Sequence, residues 1–127
     1  MGLFDAISNT FSGSSDDIWD TISQPSDLES IVDKSGNRPQ LIYKHSNRCS
    51  VCFVAKGNLE QSSKQLLEHA DMHYLNVVKN RSASDSVASK LNVRHESPQV
   101  ILLDEGEVVW HASHGKIEGS KILEQLS

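Results

Sequence analysis

The sequence is short of the residues that mark several large classes of protein. Two cysteines in 127 residues cannot supply the several bridges on which small secreted disulfide scaffolds depend. Three prolines and seven glycines are too few for a collagen-like or low-complexity chain. No apolar run approaches the ~20 residues that a membrane-spanning helix needs. Positive charge is also scarce: 12 Lys and Arg stand against 17 Asp and Glu, a formal net charge of -5, whereas nucleic-acid binders carry a clustered basic face. The beginning of the chain has no basic region followed by an apolar stretch, so no secretory signal is read there and a cytoplasmic protein is expected. Gly2 invites N-myristoylation, but that motif asks for Ser or Thr where Ala6 stands.

What is present is ordinary globular material, 37% hydrophobic and 23% charged, enough to bury roughly two thirds of the unfolded surface in one domain. Leu3, Phe4, Ile7 and Phe11 fall on one side of a notional short helix, but Ser12 to Asp17 reads as linker. Residues 1–18 are therefore expected to be a flexible tail, and residues 19–127 the folded domain. Ser26-Asp27-Leu28-Glu29 has the form of a capping box, followed by a short helix with Leu28, Ile31 and Val32 on one face and an end near Gly36. Gln40 to His45 reads as a short buried strand. From about Ser50 to Glu68, Val51, Val54, Ala55, Leu59 and Leu66 recur at helical spacing, with Gly57-Asn58 as the weak point. Met72 to Val78 reads as a strand, and the caps offered by Ser82 to Asp85 precede a helix bearing Val87, Ala88 and Leu91. Gln99–Leu103 and Glu107–Ala112, joined across Asp104-Glu105-Gly106, read as a hairpin. A last helix carries Ile117, Ile122, Leu123 and Leu126. The order is an N-terminal helix and then β-α-β-α-β-β-α. It predicts an α/β protein with a four-stranded mixed sheet, helices on both faces, a parallel first βαβ unit and an antiparallel final hairpin.

Both cysteines lie in Cys49-Ser50-Val51-Cys52, where a strand hands over to a helix. Unpaired amides and the positive end of the helix dipole stabilise a thiolate at that point, and cysteines so placed have pKa values of about 3.5–7.5 against about 8.5 when free. Cys49 is the candidate nucleophile. Cys52, one turn inward, is the candidate resolving thiol, able to attack a mixed disulfide formed on Cys49. Lys44, His45 and Arg48 precede the pair and suggest a local basic cluster that lowers thiol pKa and attracts anionic substrates, with Arg48 weighted most. Three other uses of the cysteines compete. A Cys-x-x-Cys is half of a zinc or iron-sulfur ligand set, but no second pair exists, and His69 and His73 are the one histidine pair at ligand spacing. A structural disulfide is disfavoured in a cytoplasmic protein. Inert burial remains open for Cys52.

Ser97-Pro98-Gln99 stands just before an expected central strand, where proline is unusual. By default that peptide bond is trans, since only about 5–6% of X-Pro bonds are cis. Three segments now carry a resemblance: Tyr43-Lys44-His45-Ser46-Asn47-Arg48-Cys49-Ser50-Val51, His95-Glu96-Ser97-Pro98-Gln99 and Val109-Trp110-His111-Ala112-Ser113-His114. Together they resemble the monothiol-type bacilliredoxins, a family of thioredoxin-like proteins, over roughly residues 19 to 126. The resemblance implies a thioredoxin-like fold, nucleophilic chemistry at Cys49, a cis peptide at Pro98, and removal of the small thiol bacillithiol from mixed disulfides on client proteins, with no cofactor. Substrate contacts are expected at Arg48, His45, Ser97 and Pro98. Bacillithiol carries carboxylates, which suits the basic residues; glutathione is the other candidate thiol. Family members usually place Ser where this chain has Cys52, and the extra thiol opens a dithiol route. His95, His111 and His114 are read as solvated or core residues and Trp110 as packing. A monomer or weak dimer is expected, with no nucleic-acid or membrane partner. The reading of a different class is a non-enzymatic module holding a metal or a partner protein through Cys49 and Cys52.

Overall fold

In a computed structural model, which describes residues 18–126, β1 (Asp20–Thr21) leads into α1 (Pro25–Lys34) and β2 (Gln40–His45). There follow α2 (Ser50–Gln61), α3 (Ser63–Leu67), β3 (Asp71–Asn76) and α4 (Arg81–Leu91). The chain finishes with β4 (Gln99–Asp104), β5 (Glu107–Ser113), a 3-10 turn (His114–Lys116) and α5 (Gly119–Leu126). Of the expected tail over residues 1–18, residues 1–17 lie outside the described residues, and Ile18 packs against a core of the folded domain.

The sheet has the order β1-β3-β2-β4-β5. β2 and β3 are parallel, as a right-handed βαβ unit requires, while β4 runs antiparallel to both β2 and β5. Five strands therefore replace the four expected. The added one, β1, pairs parallel with β3 through only Asp20 and Thr21, too short and too polar to show alternation. Its flanks explain why it docks: Trp19 enters one core and Ile22 the other.

Side chains alternate across each strand, and the two faces build separate cores. Leu41, Tyr43, Val100 and Leu102 face Ala55, Leu59, Leu66 and Ile122 of α2, α3 and α5. Ile42, Leu75, Ile101 and Leu103 face Leu28, Ile31, Ala83 and Val87 of α1 and α4. β2 is buried at all six positions, so it sits at the centre of the molecule and carries the cysteine loop at its end.

Some boundaries move. The α1 cap lies earlier than the Ser26 box: Pro25 opens the helix, and the Asp27 carboxylate accepts from the Ser23 and Gln24 amides at 2.9 and 3.2 Å. Asn80, not a residue of 82–85, is the N-cap of α4. The helix expected over residues 50–68 breaks at Ser62 into α2 and α3, because α5 crosses there. A Cβ on Gly119 would lie 2.2 Å from the Ser62 hydroxyl oxygen and 2.5 Å from its Cβ. Gly57 has open space beside it and lies within unbroken helix. The hairpin turn is as read, with Glu105 and Gly106 both at positive φ, 52° and 80°, the conformation of a type I′ turn.

Candidate active site

Cys49 is the N-cap of α2, in extended backbone, and its sulfur accepts from the Cys52 amide at 3.2 Å. The loop before it is held by local bonds: the Ser46 carbonyl accepts from the Cys49 amide and the Ser46 hydroxyl accepts from the Arg48 amide, both at 3.2 Å. Cys49 is half-buried and Cys52 fully buried, and both are free thiols. Their protonation equilibria diverge accordingly. The Cys52 side chain, followed by the Cys52 and Val51 amides, hydrogen-bonds to the Cys49 sulfur and holds its thiol below the ordinary range. Burial pushes the Cys52 thiol up to about 11; hydrogen bonds toward its sulfur from the Ser46 amide and the Ser97 hydroxyl offset only part of this. The pair is thus a half-buried thiolate former in front of a fully buried, protonated thiol.

The Ser97-Pro98 peptide is cis and leads directly into β4, and the Ser97 side chain is the smallest of the influences on the Cys52 thiol, favouring its thiolate. The Pro98 carbonyl accepts from the His114 amide at 3.0 Å, and His114 Nδ1 lies 3.3 Å from a Glu96 carboxylate oxygen. His95 and His111 are exposed, and Trp110 packs against the first core.

The basic cluster does not form as a cluster. Arg48 is exposed beside Cys49. Lys44 points to the opposite face of the sheet, fully buried, with no hydrogen-bond partner for its Nζ among the described residues; burial brings its ammonium down to about 8. His45 is only 1% exposed, and burial lowers its imidazole below its usual range, so it is neutral at pH 7 and out of reach of a substrate. Strand alternation separates the two, and the centrality of β2 buries both.

Tyr43 and Asn47 were legible in the sequence only as neighbours. Here the Tyr43 hydroxyl donates to the Cys52 carbonyl at 2.7 Å and lies 2.8 Å from His45 Nδ1, while His45 Nε2 lies 3.1 Å from Asn47 Oδ1. The available signal was the period of two, which puts Leu41, Tyr43 and His45 on the face that meets α2. Around the cysteines Val51, Phe53 and Val54 are exposed, with the Phe53 ring perpendicular to that of His45 at 4.9 Å between ring centres. Among the described residues, no three His, Cys, Asp or Glu side chains gather as a metal site, and no helix is long and apolar enough to cross a membrane.

A family model described as monothiol bacilliredoxin BrxC matches residues 20–122. A solved structure described as a candidate oxidoreductase with a thioredoxin fold superposes with a TM-score of 0.76 at 29% identity, covering 86% of this chain and 94% of that one. Thioredoxin from Fasciola hepatica gives 0.65 at 20% identity, over 84% and 94% of the two chains. Thioredoxin O2 from Arabidopsis thaliana gives 0.70 at 16%, over 86% and 94%. The last two show the fold.

Proposed function

Since the chain belongs to the monothiol bacilliredoxin family, we propose that it reduces mixed disulfides between proteins and a small anionic thiol of the bacillithiol type, in the cytoplasm, with Cys49 as nucleophile and Cys52 as resolving thiol. The observation that carries this reading is the asymmetry of the pair: Cys49 half-exposed and favoured as thiolate, Cys52 buried and held protonated.

In the first step the Cys49 thiolate attacks the sulfur of the small thiol. The Cys49–small-thiol bond forms, the bond to the client breaks, and the client sulfur leaves as a thiolate that takes a proton from water. In the second step Cys52 attacks the Cys49 sulfur: the Cys52–Cys49 bond forms, the bond from Cys49 to the small thiol breaks, and the small thiol leaves as a thiolate that takes up the proton Cys52 has given to water, so the cysteine pair has lost two electrons and the mixed disulfide has gained them. A thiol reductant restores the pair. Arg48, exposed beside Cys49, supplies the positive charge for a carboxylate-bearing thiol, and half-buried Ser97 offers the substrate chain a polar contact, while Pro98, expected to touch it, is buried and backs Ser97 instead.

The test is intact-mass spectrometry of the reduced protein after brief exposure to bacillithiol disulfide and, separately, to glutathione disulfide. Loss of two hydrogens, with the faster reagent naming the thiol, is the expected result. Cys49→Ser abolishes reaction, and Cys52→Ser accumulates the adduct. A small-thiol adduct that persists on Cys49 of the unmodified sequence contradicts the resolving role of Cys52.

A further inference from the structure

The hydrogen bonds beneath the cysteine turn fix their own direction. The Cys52 carbonyl has no proton to give, so at 2.7 Å the Tyr43 hydroxyl is the donor. Having spent its only proton there, the Tyr43 oxygen must accept from His45 Nδ1 at 2.8 Å. His45 therefore carries its proton on Nδ1. With the imidazole neutral, Nε2 is a lone pair, and Asn47 presents its amide NH2 to it by a half-turn of a group whose oxygen and nitrogen are nearly isosteric. The result is a directed chain from Asn47 in the loop, through His45 and Tyr43 of β2, to the peptide of Cys52. The backbone holds the same end of β2, since the His45 carbonyl accepts from the Val77 amide at 2.9 Å, just beyond the end of β3.

The geometry points to Tyr43 and His45 as positioning residues for the second step, holding the Cys52 turn in register with the loop that carries Cys49. This rests on the dithiol reading above and deepens it. Attack by Cys52 requires its sulfur to come into line with the bond between Cys49 and the small thiol, and a misplaced nucleophile loses rate steeply. Cys52 lies on the first turn of α2, where backbone amides have no helical carbonyl one turn back to hold them. The Tyr43 hydroxyl adds a bond to the Cys52 carbonyl from a residue locked in the central strand. Attack by Cys49 on the incoming disulfide makes no use of this chain, because Cys49 is held by Ser46 and by the Cys52 amide.

Two measurements on the full chain test the assignment. Side-chain NMR of His45 is expected to show the neutral Nδ1–H tautomer at pH 7, relaxing toward the commoner Nε2–H form in Tyr43→Phe. An Nε2–H tautomer in the unsubstituted protein overturns the proposal. Rapid-quench mass spectrometry with bacillithiol disulfide then separates appearance of the Cys49 adduct from its decay. Tyr43→Phe and His45→Leu are expected to slow decay by about three- to tenfold, the worth of one buried hydrogen bond, and to leave appearance unchanged. His45→Asn, whose amide nitrogen stands where Nδ1 stood, restores decay. Decay in Tyr43→Phe as fast as in the unsubstituted protein overturns the inference, as does equal slowing of both phases. An adduct that never decays even without substitution overturns the dithiol reading and this role with it, so the two failures are told apart by which protein shows them.

Discussion

Lys44 is a lysine whose ammonium finds no hydrogen-bond partner among the described residues. It lies on the second-core face of β2 opposite Gln99, whose Oε1 is equally without a partner among them, and the charge of Asp85 offsets only part of the cost of burial. An unsatisfied buried polar group costs about 1–3 kcal/mol, so Lys44→Met is expected to raise stability at pH 7 by about that amount, read as a higher denaturation midpoint. The pH dependence has a definite sign. Folded Lys44 releases its proton near 8 and unfolded Lys44 near 10.5. Below pH 8 both states hold the proton and the folded state bears the full cost. Between these values the unfolded state holds more protons, so this group's contribution to stability rises with pH. The advantage of Lys44→Met therefore shrinks from pH 8 to pH 10.5; a constant difference across that window contradicts the account.

At the level of elements, the site depends on how α5 crosses the α2–α3 junction. Gly119 opens α5, and the Ser62 side chain fills the space that a Cβ there would need. Gly119→Ala is expected to destabilise by about 1–3 kcal/mol, the usual cost of overpacking, visible as a lower urea midpoint with unchanged slope. Because the nearest atoms include the Ser62 Cβ, which no rotamer change can move, relief requires Ser62→Gly. A double-mutant cycle should show coupling between the two positions, and strict additivity would place the strain elsewhere. The same crossing explains why the periodicity of residues 50–68 misread two helices as one: both pieces face a single core, so their apolar spacing runs on through the break at Ser62.

Taken whole, the molecule carries a net charge of -5 while its cysteine turn presents Arg48 to solvent. Field and local charge thus act in opposite directions on an anionic thiol, and only the local charge lies within the ~8 Å Debye length at physiological salt. Reaction of Cys49 with bacillithiol disulfide is therefore expected to slow as salt rises, whereas reaction with the neutral 2-hydroxyethyl disulfide stays flat. Arg48→Ala should reduce kcat/KM for the anionic reagent roughly tenfold at low salt and leave the neutral one unchanged. Equal losses for both reagents would mean that Arg48 shapes the loop rather than the encounter.

The sequence by itself determined the order of elements, the parallel unit and the hairpin, and the placement of Cys49 at a helix start, because periodicity, turn residues and helix-end electrostatics are local and act within a few residues. The family resemblance rested on equally short stretches around Cys49, Pro98 and Trp110. Tertiary structure decided what depends on which element packs where. It added β1, whose two polar residues are ordered by Trp19 and Ile22 entering opposite cores, and it dispersed the basic cluster. Lys44, His45 and Arg48 are near neighbours in the chain, yet a central strand sends the first to one core, holds the second neutral against α2 and leaves only the third in water. Burial and partner are properties of the packed sheet, and these set the charge each residue carries and the atoms it can reach.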